Sequence, residues 1–135
     1  MTAASSTLLQ DISTAVRTVV AQTAPSVVAV QSRGSRSSGF VWRPGLVVTS
    51  DEALADEGEV TVSLPGDEAV PAEVVGRDPT TDIALLRIAR SDAAPAVLAP
   101  PPGAAGEVVI IVGAQDGEPT AAFGVASRVA GPWRS

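Results

Sequence analysis

The sequence contains no cysteine, no histidine, no lysine and no tyrosine. Without cysteine the chain can form no disulfide, thiolate metal site or cysteine nucleophile. Without histidine it lacks the side chain that most often transfers protons near neutral pH. The 9 basic residues are all arginines, they form no cluster, and the net charge is −6. Nonspecific binding to nucleic acid or to an anionic membrane is therefore not expected, because both need a positive face.

The N-terminal segment lacks the basic leader and the apolar block that are typical of a secretion signal. No stretch approaches the roughly 18 consecutive apolar residues that suit a membrane-spanning helix. The sequence therefore predicts a soluble chain, and it leaves the compartment open between cytoplasm and periplasm.

What the chain does contain favours strands and turns. A length of 135 residues suits one domain with a real core. Valine and alanine dominate the apolar residues, and valine suits a pleated strand better than a helix because it branches at Cβ. The 12 glycines and 11 prolines indicate many turns. The composition predicts a mostly β domain.

The exception is the N-terminal segment, whose apolar residues recur at spacings of three and four. This pattern predicts a helix over residues 7–22, with Ser5 and Ser6 as caps and Pro25 as its end. We expect the apolar stripe to pack onto the domain; a cofactor or partner groove is the less favoured alternative. The stripe consists of Leu8, Leu9, Ile12, Val16, Val19 and Val20.

From Ser26 onward, short segments with strand periodicity alternate with turns rich in Gly, Pro and Asp. A proline-rich stretch over residues 89–106 is expected to form an extended surface loop. This organisation predicts a single antiparallel Greek-key β-barrel of six or seven strands with the helix outside it. The predicted strands are 27–32, 39–42, 46–50, 60–64, 70–78, 83–88, 108–113 and, after a turn over 113–117, 120–129.

Read together, four groups of residues resemble the trypsin-like serine proteases of the HtrA/Deg branch. They are residues 24–30, residues 38–41 with 45–50, residues 76–88, and residues 109–113. The segment around Asp82 is the most specific of them. The resemblance implies an N-terminal helix over 1–25 and a first trypsin-like barrel over 26–118, with 109–113 as its last strand. It implies that 119–135 begin a second barrel or form a swapped strand.

In that family a serine attacks the substrate carbonyl, a histidine takes its proton, and an aspartate orients the histidine. The resemblance places Asp82 at the aspartate position and Glu52 at the histidine position. Free glutamate has a pKa of about 4.3 and is a poor base for a hydroxyl. Two neighbouring carboxylates also repel each other, and this repulsion is expected to raise the pKa of one of them. The serine would lie on the second barrel, and Ser37-Ser38-Gly39 matches a structural hairpin rather than a nucleophile.

These residues predict a chain that is not an enzyme: a noncatalytic, degenerate protease domain that acts in protein or peptide interaction or assembly. One alternative is a peptidase half that works only when a second barrel supplies the serine. Another is a purely structural oligomerisation module. The partners expected are a second copy, with strand exchange as one mode of pairing, a complementary C-terminal barrel, or extended peptides. No cofactor is expected.

The carboxylates of Glu52 and Asp82 suggest two further possibilities, a cation site and glycoside hydrolysis. Asp51, Asp56, Glu57 and Glu59 would add oxygen ligands. No calcium-loop spacing is present, so neither possibility is favoured and no metal site is predicted.

Overall fold

The structure is a computed structural model that describes residues 3–101 and 103–131. Within these described residues one helix precedes eight strands, as the strand-rich composition predicts. Short turns join most of them. The elements are α1 (Ala3–Thr23), a 3-10 turn (Ala24–Ser26), β1 (Val27–Ser32), β2 (Ser35–Arg43), β3 (Leu46–Thr49), β4 (Val60–Ser63), β5 (Ala69–Asp78), β6 (Ile83–Ile88), β7 (Val108–Gln115) and β8 (Glu118–Val125).

Strands β1 to β6 form a closed antiparallel barrel in the order β1-β2-β3-β6-β5-β4. The two crossings of sequence order, β3 beside β6 and β1 beside β4, give the barrel its Greek-key character. The pairing of β5 with β6 shifts register between Val74 and Gly76, which bends β5 as a bulge does. The predicted mostly β fold with one helix is confirmed.

The barrel interior is filled mainly by branched aliphatic side chains. Alternate residues of each strand point inward, so Leu86 lies among valines contributed by the neighbouring strands. This packing holds β3 and β6 side by side, with Val47 opposite Leu86. The largest fully buried side chains are Leu86, Val28, Val30, Val41, Val47 and Val62.

Strands β7 and β8 form a separate two-stranded sheet outside the barrel. The prediction that Val109–Gly113 is the last barrel strand is therefore wrong. Asp116 and Gly117 both have positive φ, 51° and 81°, which is the backbone of a tight two-residue hairpin turn. This turn folds β8 directly onto β7. The predicted domain limits at residues 25 and 118 stay a prediction.

Helix α1 differs from its prediction in two ways. It begins at Ala3, so Ser5 and Ser6 lie within the helix and not at the position that precedes it. Its apolar stripe is largely uncovered: Leu8 is 62% exposed and Leu9 55% exposed, because the helix contacts the rest of the chain near its C-terminal end. The expected packing onto the domain is wrong for these residues.

Residues 89–106 form an extended surface loop wherever they are described. Hydrogen bonds from Ala96 N–H to Val41 O (2.7 Å) and from Gly106 N–H to Ala126 O (2.6 Å) tie it to other segments. Pro102 and residues 132–135 lie outside the described residues. Among the described helices, none is long and apolar enough to cross a membrane.

Candidate functional site

Asp82 lies at the end of a tight turn, directly before β6. The Asp78 carboxylate closes this turn by accepting hydrogen bonds from Thr80 N–H (3.0 Å) and from the Thr81 hydroxyl (2.9 Å). Asp82 itself has a φ of 57°, a left-handed backbone that a non-glycine residue adopts uncommonly. The local chain therefore fixes the direction in which the Asp82 side chain leaves the barrel.

Both oxygens of the Asp82 carboxylate accept hydrogen bonds from the segment that follows β3. The Glu52 backbone N–H donates to Oδ1 at 2.7 Å, and the Ser50 hydroxyl donates to Oδ2 at 2.8 Å. The Asp51 N–H also donates to the Asp82 backbone oxygen at 3.3 Å. The barrel thus brings together the two positions that the resemblance singled out, Glu52 and Asp82, which are 30 residues apart in sequence.

These donors lower the pKa of Asp82, the Glu52 backbone N–H being the larger cause and the Ser50 hydroxyl the next. Hydrogen bonds to a carboxylate favour its charged form. The expectation that repulsion between Glu52 and Asp82 raises a carboxyl pKa is wrong at Asp82. The reason is that Glu52 contacts the Asp82 carboxylate through its backbone N–H, which is a hydrogen-bond donor. The Glu52 residue as a whole is exposed.

Glu52 lies on a short loop, residues 51–55, which Arg77 of β5 holds. The guanidinium pairs with the Asp51 carboxylate (Nε to Oδ1, 2.5 Å) and donates to three backbone oxygens of the loop. Asp51 is only 8% exposed, so its charge needs this partner. Leu54, 6% exposed, packs into the barrel core. The loop is therefore fixed on both sides of Glu52.

Two serines at the turn between β1 and β2 also hold this loop. The Ser35 hydroxyl donates to Ala53 O at 2.7 Å, and Ala55 N–H donates to the Ser32 hydroxyl at 3.1 Å. Sequence reasoning missed Arg77, Ser32 and Ser35. Arg77 lies in the segment 76–88, but nothing in the sequence marks these contacts with the loop, because only the closed barrel brings the three side chains to the loop backbone and to Asp51.

Asp51 is already committed to Arg77, which removes it from the oxygens that were considered for a cation. Asp56, 3.5 Å from the same guanidinium, is drawn to it as well. Within residues 3–101 and 103–131 no three His, Cys, Asp or Glu side chains converge as a metal site would require.

The serines of Ser37-Ser38-Gly39 have structural partners. The Ser38 hydroxyl contacts both backbone groups of Ala114 in β7, accepting from its N–H at 3.0 Å and donating to its oxygen at 3.3 Å. The Ser37 hydroxyl lies 3.4 Å from the Thr49 hydroxyl. These contacts agree with the expected hairpin role of the segment.

With this geometry established, the chain can be compared with known proteins. The profile described as the trypsin-like peptidase domain matches residues 37–135. The chain is 37% identical over 101 residues to the serine protease Rv3671c of Mycobacterium tuberculosis, a match that covers 70% of this chain and 25% of the relative. It is 38% identical over 89 residues to the mitochondrial serine protease HTRA2 of Bos taurus, covering 57% of this chain and 19% of that protein. The chain therefore matches about a quarter or less of the length of these relatives.

Crystal structures of the M. tuberculosis Rv3671c protease have the same fold. The inactive form of a serine-to-alanine variant gives a TM-score of 0.72 at 35% identity, covering 84% of this chain and 57% of that chain. The active form gives 0.71 at 32% identity, covering 84% and 54%. The fold and these likenesses define a trypsin-like β-barrel domain. The chain belongs to the trypsin-like peptidase domain family and is homologous to the HtrA-type serine proteases.

This membership corrects one expectation. The prediction that the chain is not an enzyme is wrong, because its family is a peptidase family and its relatives are serine proteases, one of them solved in an active form. The prediction rested on one residue, Glu52, and on chemistry that a single barrel cannot complete alone. The assignment of Glu52 and Asp82 to the histidine and aspartate positions stays a prediction.

Proposed function

We propose that this chain is the aspartate-bearing barrel of a trypsin-like peptidase domain, and that it acts on peptides when a second barrel supplies the serine. The observation that carries the proposal is the hydrogen bond from Glu52 N–H to the Asp82 carboxylate, 2.7 Å long. It keeps position 52 next to the Asp82 carboxylate. A proton acceptor at position 52 and an orienting acid at Asp82 would need this closeness. The lowered pKa of Asp82 keeps that acid charged.

Glu52 determines how well such a site can work. A carboxylate takes a proton from a serine hydroxyl less readily than an imidazole does, because its affinity for the proton is lower. We therefore expect slow hydrolysis at neutral pH from the chain as it stands. A well-placed general base contributes about a hundredfold or more to such a reaction, so E52H should raise the rate by that order.

The experiment fuses a serine-bearing second barrel C-terminal to the chain and measures turnover of a broad peptide panel. The variants are E52A, E52H and D82N beside the natural sequence. Turnover that E52A abolishes supports the proposal and assigns Glu52 the proton-accepting role. Turnover by E52H alone assigns Asp82 the orienting role but contradicts the proposal for the natural chain, because Glu52 then fails to accept the serine proton. Absence of turnover in every variant, with the fused barrel folded, contradicts the proposal.

We also propose that a complementary barrel is the partner of the hairpin β7–β8. As strands, β7 and β8 pair only with each other in the part of the chain that is described, so each keeps an edge for another strand. Apolar side chains on the hairpin are also uncovered: Ile111 is 64% exposed and Phe123 59% exposed.

Light scattering tests this assignment over a range of concentrations. A chain that stays monomeric until a serine-bearing barrel is added supports it. A homodimer instead favours a second copy on the same edges, and a monomer that ignores the added barrel contradicts it. An oligomer that binds no extended peptide would favour the purely structural alternative.

A further inference from the structure

Arg77 directs every nitrogen of its guanidinium to one short loop. Nε lies 2.5 Å from Asp51 Oδ1, Nη2 donates to Asp51 O (3.1 Å) and Leu54 O (3.3 Å), and Nη1 donates to Ala55 O (3.2 Å). A planar guanidinium suits this task because its donors lie in a fixed fork. The side chain is 29% exposed, and that of its partner Asp51 is 11% exposed.

The backbone oxygens and the Asp51 carboxylate of this loop need a hydrogen-bond donor that carries a positive charge. Its backbone oxygens lie beyond the end of β3, where no neighbouring strand pairs with them, and buried backbone oxygens require hydrogen bonds. The buried Asp51 carboxylate requires an opposite charge. Position 52 is the first residue after Asp51, and its N–H is the largest of the three donor effects that lower the pKa of Asp82, ahead of the Ser50 hydroxyl and the Asp51 N–H.

We propose that Arg77 is a positioning residue of the candidate site: it holds residues 51–55 so that position 52 keeps its N–H on the Asp82 carboxylate. The inference rests on the proposed function in one respect, the importance of position 52. The contacts of Arg77 with the loop do not depend on that function, because they lie within this chain. Arg77 touches neither Asp82 nor a substrate in this network, so it acts through the loop.

The test uses the chain by itself and two NMR measurements, the exchange rate of the Glu52 amide and the pH midpoint of the Asp82 carboxyl. The variants are R77Q and R77K, with R87Q as the matched control. Arg87 lies on β6 in an exposed ion pair with Glu73, 3.6 Å long, away from the loop. Of the charged residues in this network, Glu52 and Asp51 donate to Asp82 through their backbone N–H groups, Asp51 is paired with Arg77, and Asp78 lies on the preceding turn.

In R77Q we expect the Glu52 amide to exchange about tenfold faster, because the loop loses charge-assisted hydrogen bonds. The Asp82 midpoint should move up toward its ordinary value of 3.8, because its Glu52 donor is less well held. R77K should give a smaller change in both, since an ammonium can meet Asp51 but cannot span the three backbone oxygens. R87Q should change neither.

A folded R77Q whose Glu52 exchange and Asp82 midpoint equal those of the natural chain overturns the proposal. If R77Q does not fold, R77K decides: faster Glu52 exchange supports the proposal, and an unchanged rate overturns it. These measurements need no hydrolysis. A chain that fails the peptidase test but shows these changes therefore refutes the proposed function and leaves the role of Arg77 standing.

Discussion

Gly39 is the position where one added methyl group should have the clearest consequence. It lies in β2 opposite Thr49 of β3, the strand that leads into Ser50 and Glu52. A Cβ built on Gly39 would lie 2.7 Å from the Val48 backbone oxygen and 3.1 Å from a Val47 methyl group. Gly39→Ala therefore places the methyl against paired backbone and not against a side chain that can turn away.

The size of the effect follows from that contact. The distance to the Val48 oxygen is several tenths of an ångström short of the 3.4 Å at which ordinary contact begins, so β2 and β3 must separate. Overpacking of this kind costs about 1–3 kcal/mol. Reduced freedom of the unfolded chain offsets about 0.4–1 kcal/mol of it. We expect Gly39→Ala to lower the free energy of unfolding by roughly 1–2 kcal/mol.

Urea denaturation of Gly39→Ala and of a control variant measures this difference. Gly76→Ala is the matched control, because Gly76 is also in a barrel strand and a Cβ there meets nothing within 4 Å. The control should be neutral or slightly stabilising. If Gly39→Ala proves as stable as Gly76→Ala, the steric argument is refuted, and with it the physical reason for glycine in the Ser-Gly-Phe-Val segment.

Two further predictions concern the site and its surroundings. Because the folded-state pKa of Asp82 is lowered from 3.8, its carboxylate stabilises the fold above that pH and ceases to do so as the pH falls through the folded value. Between about pH 7 and about pH 3, the urea midpoint of Asp82→Asn should therefore fall less than that of the natural chain. An equal fall of the midpoint in the two proteins over this pH range would contradict the prediction. Ser38→Ala should speed exchange of the Ala114 amide about tenfold by removing its acceptor, whereas Ser37→Ala should not; equal rates in the two variants would exclude the Ser38 contact as the cause.

Local patterns in the sequence were sufficient for much of the barrel. The limits of β1 and β6 match their predictions, because alternation of apolar residues along a strand is a property of neighbouring residues. The turn before Asp82 was equally readable from Asp78-Pro79-Thr80. Periodicity could not tell whether residues 108–113 pair with the barrel or with β8, since an apolar run fits either neighbour.

The sequence by itself determined that this chain is a mostly β domain resembling the trypsin-like proteases. The resemblance predicts Asp82 at the aspartate position and Glu52 at the histidine position. Only the tertiary structure decided how those two residues meet. Closure of the barrel brings the Glu52 N–H to the Asp82 carboxylate. It also brings the Arg77 guanidinium to the loop of residues 51–55 that carries Glu52. Such contacts depend on distances between strands far apart in sequence, and these distances are set by packing, which no local pattern of residues encodes.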